Sequence, residues 1–374
     1  AVRRMVMRRP LTSPPSTRAF ARALFALIGA FSVGILGARA WGGAARGLEL
    51  LYKTYDEQTT RIFRADIARG IVTELRLPID GTSHEWSPDG TRIAFVSAHD
   101  GDPDIYVTDA NGRDLRQLTD NALPDYSPAW SRDGTQIAYA SVGYAGRGAT
   151  DIYVLTLDDS APPRRISGAA GSASMPRWSA DGAQIAFMYA ERGVRTTVLA
   201  FADGSSAAPA SAAPELTIVS EWAWSPDGTR VVFVGVDDPT LMGTVQQLYI
   251  AAADDIAGRR RLAAESPDHT NTYDMPTWSP DGTRIAYVAT PRVTSDVFVI
   301  VVDGDQPPQR ISPLPSNDRY PAWSPDGRWI AFTSGDNQFS EIYAVELASG
   351  RLMRVTRDRV GDFAPSWRPN SDNR

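Results

Sequence analysis

The chain is 374 residues long, 43% hydrophobic and 22% charged, an ordinary globular composition that excludes wholesale disorder. It has no cysteine, which excludes disulfide frameworks, thiol nucleophiles and zinc–thiolate or iron–sulfur centres; its three scattered histidines (His84, His99, His269) argue against a histidine-rich metal centre. The net charge is −6, but residues 1–40 hold seven of the 38 basic residues and no acid, leaving 31 basic against 44 acidic residues, or −13, on the remainder.

A body this acidic is unsuited to nucleic acid, which requires clustered positive charge. Arg3, Arg4, Arg8, Arg9 and Arg18 precede an uncharged apolar run over residues 23–38, and Ala38-Arg39-Ala40 has the small-x-small pattern of a signal-peptidase site. The run is short against the ~20 apolar residues of a membrane-spanning helix. Residues 1–40 are therefore expected to be a secretory signal cleaved after Ala40, with a retained N-terminal anchor as the alternative. Either places the body outside the cytoplasm, touching a membrane only through that segment.

From residue 41 onward one unit repeats. Trp86-Ser-Pro-Asp-Gly90 returns at Trp130, Trp178, Trp224, Trp278 and Trp323, and a degenerate copy begins at Trp367. Successive tryptophans stand 44, 48, 46, 54, 45 and 44 residues apart, and seven of the ten tryptophans occupy this one position. Each unit reads as four short strands, a to d. In one of them strand a ends at Trp130, strand b covers 136–141, strand c covers 151–155 and strand d lies near 164–167. Proline presets the first corner of the a–b turn, aspartate bonds the backbone ahead, and glycine tolerates the left-handed position. The tryptophan before it offers a flat surface on which one sheet packs against the next.

Four-stranded units at this period predict an all-β chain, a single β-propeller over residues 41–374. Before Trp86, residues 48–52, 61–66 and 71–75 supply strands b, c and d, while 363–367 near the C-terminus supplies strand a. The reading is seven blades, with six or eight as alternatives, and a ring closed by strands from both ends of the chain in one blade. Such closure removes exposed sheet edges.

These residues resemble the propeller of the TolB family, over about 47–370. TolB is a periplasmic protein with a six-bladed propeller behind an α/β domain, and it binds a peptidoglycan-associated lipoprotein. The expected seven blades, and the absence of that domain between Ala40 and Gly47, depart from it. Related propellers accompany prolyl oligopeptidase-type hydrolases, but no Gly-x-Ser-x-Gly elbow occurs here. Oligogalacturonate lyases have similar repeats and seven blades with a histidine-rich manganese site.

Strand alternation puts the d–a and b–c loops on one face around the channel. Asp125, Asp318 and Asp362 stand five residues before their repeat tryptophan, and Asp274 four before. Symmetry predicts either an acidic ring at the channel mouth, suited to a cation or a basic segment, or aspartates that each cap their own loop. His84 and Trp222 occupy the position that is proline in other repeats and join the candidate ring. Asp100, Asp102 and Asp104 alternate in a b–c loop, a pattern that suits calcium without matching an EF-hand. The insertion 236–244 is an extended b–c loop, and Arg195 replaces the acid that opens other c strands. Trp329, on strand b, is expected to pack rather than stack on a ligand.

Two functions follow. The first is a non-catalytic binding propeller of the cell envelope or exterior, monomeric in its body, that presents the channel-mouth face to a protein, peptide or glycan. The second is a lyase or hydrolase acting on a sugar or lactone, with carboxylates and His84 holding calcium or manganese.

Overall fold

A computed structural model describes residues 48–370, apart from 57–58, 76, 78, 143–148, 159–160, 168–170, 193, 206, 210–216, 237–245, 263–271, 292, 337–338 and 358–359. The leader and nearly all of the 236–244 insertion lie outside the described residues, as does the side chain of Arg195.

The described residues form twenty-eight strands in seven antiparallel four-stranded sheets, the blades of a propeller. Blades 2 to 7 occupy residues 82–117, 125–165, 172–209, 217–261, 272–310 and 318–354. In blade 1, strand a is Gly361–Trp367 from the C-terminal end, paired to strand b, Glu49–Asp56, which continues into Thr59–Asp66 and Ile71–Glu74. The ring thus closes through one sheet that joins both ends of the described chain.

The repeat motif builds its own turn. In blade 2 the Ser87 hydroxyl donates to Asp89 Oδ1 at 2.6 Å, which also accepts from the Thr91 amide at 3.0 Å. The Arg92 amide donates to Ser87 Oγ at 2.9 Å, so the motif locks both sides of the hairpin. The same arrangement recurs at Ser131, Ser179, Ser225, Ser279 and Ser324. The six repeat glycines have φ between 66° and 74°, a region L-residues with a Cβ avoid.

Each repeat tryptophan packs across a seam onto the blade before it. Trp130 lies with Val96 and Ile105 of blade 2, Trp278 with Val232 and Leu248 of blade 5, and Trp367 with Trp329 and Ala331 of blade 7. Trp329 is fully buried there. Two polar latches reinforce these seams. In the first, the indole N–H donates to a main-chain carbonyl of the preceding blade's strand a: Trp130 to Glu85, Trp178 to Ala129, Trp278 to Ala223, Trp323 to Thr277 and Trp367 to Ala322, at 2.9–3.3 Å. In the second, an arginine of the preceding blade stacks on the tryptophan and donates to the repeat glycine's carbonyl, as Arg92 does over Trp130 toward Gly134. Arg230, Arg284 and Arg368 do the same over Trp278, Trp323 and Trp86.

Among the described residues, the seam between blades 4 and 5 has neither latch. The Trp224 indole N–H is buried without an acceptor, and Gln184 stands where Arg92 stands in blade 2. Trp222 replaces proline there, stacks on Phe233 at 5.5 Å and meets Trp224 edge-on at 5.9 Å. Apolar packing takes over the work of the missing latches.

Candidate binding channel

The innermost strands line the central channel, and each carries the same irregularity. Register shifts interrupt all seven a–b pairings just before the repeat tryptophan. At the bulge, the residue three before tryptophan has a left-handed backbone: Ser83, Ser127, Met175, Met275, Tyr320 and Ala364, with φ from 48° to 55°. None is glycine, so each costs of order 1 kcal/mol and is held by the ladder around it. Proline follows in five blades, which disfavours right-handed helical backbone at the bulge residue. A bulge re-aims a side chain, and here it brings Met275, Tyr320 and Ala364 to one channel wall.

The result is an open cavity of about 520 Å³, within the range of ligand sites. Its wall includes Trp178, Trp222, Trp224, Met275, Tyr320 and Arg177. Arg177 is exposed and is the one charged residue of that wall. Bulges of adjacent blades touch, the Tyr320 amide donating to Met275 Sδ at 3.3 Å.

Of the predicted ring residues, Trp222 lines this cavity, while Asp125, Asp274, Asp318, Asp362 and His84 are not in its wall. Asp125, Asp318 and Asp362 are fully buried, each inside the structure of its own blade and the loop entering it. Asp125 Oδ2 accepts from Asn121 at 2.9 Å, and Asp362 Oδ1 accepts from Thr54 at 2.6 Å. Neither oxygen of Asp318 reaches a partner in good geometry; burial pushes its carboxyl up to about 6, and the nearby hydroxyls of Ser334 and Ser312 only partly oppose this. Asp274 accepts from the Met275 amide at 2.9 Å and so caps the bulge beside it. His84 is pushed down to about 3 by burial and by the Lys53 charge, against a backbone hydrogen bond at Ala364. Trp222 is both buried at the blade 4–5 seam and part of the cavity wall.

Of the alternating acids, Asp104 is buried, with Oδ1 accepting from Thr119 at 2.9 Å. Thr119 Oγ1 in turn accepts from the Ile105 amide, a strand c to strand d tie repeated by Ser167, Ser312 and Thr356. Gln117 bridges Asp100 and Asp104 at 2.6 and 3.2 Å. Burial pushes Asp104 up to about 6, Thr119 opposing and Asp100, Asp102 and Asp125 adding to it. Among the described residues no three His, Asp or Glu side chains are placed to hold a metal ion.

The TolB beta propeller domain model matches residues 41–207 and 198–373. The chain belongs to the TolB beta propeller domain family. No curated protein matches its sequence. Among solved structures, it is similar to TolB from Acinetobacter baumannii at 17% identity and TM-score 0.53, over 86% of this chain and 67% of that one. It is similar to an oligogalacturonate lyase in complex with manganese at 16% identity and TM-score 0.60, over 82% and 84%. It is similar to a puromycin hydrolase at 17% identity and TM-score 0.64, over 83% of this chain and 52% of that one. At such identities the likeness is one of fold, and this TolB-family propeller shares its fold with TolB and with enzymes alike.

Arg177, Met275 and Tyr320 were not singled out by the sequence. The one available signal was the proline two residues before tryptophan, which marks where the bulge falls.

Proposed function

We propose that this TolB-family chain is a non-catalytic, extracytoplasmic binding propeller that receives a protein or peptide partner in its central channel. The observation that carries the reading is the row of non-glycine bulge residues. Six blades hold a left-handed bulge residue, and three of these, Met275, Tyr320 and Ala364, line one shared cavity. Uniform packing residues would serve a ring that only had to close. The arginine-rich leader supports a location outside the cytoplasm, as does the likeness to TolB.

The test is affinity capture from envelope extract with the full chain as bait, beside Met275→Ala/Tyr320→Ala. A partner retained by the native chain and lost by the folded variant supports the reading. Equal capture by both moves the interaction off the channel. The alternative, a metal-dependent lyase or hydrolase on a sugar or lactone, rests on fold alone. A calcium- or manganese-dependent rise in melting temperature, without capture, would bring it forward.

A further inference from the structure

The channel wall is uneven in charge and in fastening, and both irregularities fall in one place. Arg177 ends one side of the blade 4–5 seam, and Trp222 and Trp224 form the other. Among the described residues Arg177 makes no ion pair; its Nη1 donates only to the adjacent Pro176 carbonyl, at 3.1 Å. It attracts the Glu85 carboxyl of blade 2 without reaching it. Trp222 is 95% buried, yet its indole N–H has no acceptor, and neither has that of Trp224. The same seam lacks both latches. So the wall combines one cation without an ion pair and an apolar surface of Trp178, Trp222, Trp224 and Met275, with the two indole donors buried behind it.

Such a wall complements a negative group and an apolar group carried close together. A peptide's last residue has both on one Cα, whereas an internal Asp or Glu puts its charge where the apolar group would have to be. We propose that the cavity at the blade 4–5 seam receives the C-terminal residue of a peptide, with the Arg177 guanidinium pairing the terminal carboxylate and the tryptophan wall taking an apolar last side chain. This rests on the binding-propeller reading above and names the chemistry of its partner. An arginine is suited to the task, since its fork meets both carboxylate oxygens.

The test is fluorescence polarisation with the full chain and N-terminally labelled glycine–serine pentapeptides ending in leucine, phenylalanine or aspartate, each as free acid and as amide. The free acids ending in leucine or phenylalanine are expected to saturate. Amidation, and separately Arg177→Gln, should each weaken binding about tenfold or more. Trp222→Pro, which restores the residue of five other repeats, should reduce the preference for leucine and phenylalanine over aspartate. Circular dichroism establishes that each variant is folded.

Equal binding of acid and amide overturns the proposal, as does an unchanged affinity in folded Arg177→Gln. Failure of every peptide to saturate at millimolar concentration overturns it too. If N-acetyl-leucine competes as tightly as a whole peptide binds, the ligand is a small carboxylate and the peptide assignment falls. If the peptides fail while Met275→Ala/Tyr320→Ala still abolishes partner capture, the binding propeller stands and the carboxylate site does not.

Discussion

Glu49 and Arg368 stand at opposite ends of the described chain, yet Arg368 Nη1 donates to Glu49 Oε2 at 2.6 Å. The same guanidinium donates from Nε to the Gly90 carbonyl at 2.8 Å and stacks on Trp86 at 5.4 Å. In blade 2 the corresponding latch is Arg92, one residue before Ile93, which pairs with Trp86. In blade 1 the equivalent position, one before Leu50, is Glu49. Strand b therefore supplies a carboxylate, and the cation comes from beyond strand a. The seam between blades 1 and 2 is fastened by residues from both ends of the described chain.

Arg368→Ala should thus destabilise the ring more than loss of a surface ion pair. It removes a half-buried ion pair, a hydrogen bond and a cation–π contact at once, for an expected cost of about 1–3 kcal/mol in chemical denaturation. A double-mutant cycle with Glu49→Gln should assign about 0.5–1 kcal/mol of that to the pair itself.

The two kinds of seam can be told apart by conservative substitution. Trp323 donates to the Thr277 carbonyl at 3.1 Å, while the Trp224 N–H has no acceptor. Trp323→Phe should cost about 0.5–1.5 kcal/mol more than Trp224→Phe, the net worth of the lost hydrogen bond. Trp323→Ala, which empties a packed seam, should cost ~3–5 kcal/mol. A cost well under 1 kcal/mol there would mean the tryptophans do not hold the blades together.

His84 gives the fold an acid-sensitive element. Its folded pKa is pushed down from 6.5 to about 3, so between those values the unfolded chain binds the extra proton. Stability from this group is full above pH 6.5 and is lost as pH falls toward 3. His84→Gln should flatten that part of the stability profile, measured by urea denaturation from pH 7 to pH 4.

Asp318 has the opposite sign. Its folded pKa is raised from 3.8 to about 6, so its favourable contribution is full below pH 3.8 and is lost as pH rises through 6. Asp318→Asn removes the cost of a buried charge at pH 8, where a gain on the order of 1–2 kcal/mol is expected, and should bring little at pH 4. Equal effects at the two pH values would mean the carboxylate is not strained by burial.

The bulge strain is open to direct measurement. Ala364 has φ 51°, a conformation that glycine adopts freely. Ala364→Gly should change stability by about 0.5–1 kcal/mol in the favourable direction, since relief of the left-handed backbone exceeds the entropy cost of glycine. A comparable loss would show that the bulge is not strained.

The blade number was legible because tryptophan, serine, aspartate and glycine each do a job at the turn that few residues can replace. The closing blade was legible because strands b, c and d came before the first motif and strand a after the last. The role of Asp125, Asp318 and Asp362 was harder to read. Their spacing marks a place in the blade, but their surroundings come from hydroxyls on other segments, Thr54 from the opposite end of the described chain for Asp362, and Ser312 and Ser334 from either side of Asp318. The bulge residue itself left no trace, because Ser, Met, Tyr and Ala occupy its left-handed position, and only the proline after it in five blades marks the place. Arg177 was invisible for a related reason. Its register holds Glu85, Ala129, Ala223, Thr277, Ala322 and Ser366 in the other blades, and variation of that kind reads as noise until Arg177, Ala223 and Thr277 are found together in one cavity wall.

A closed ring shares any outward push among its joints. Among the described residues, six joints carry a polar fastening and one, between blades 4 and 5, rests on apolar contact. On the binding-propeller reading, a guest entering the axis would meet polar fastenings around most of the circumference and an unlatched seam at a single place. Any widening that a guest required would fall there first, beside the aromatic wall.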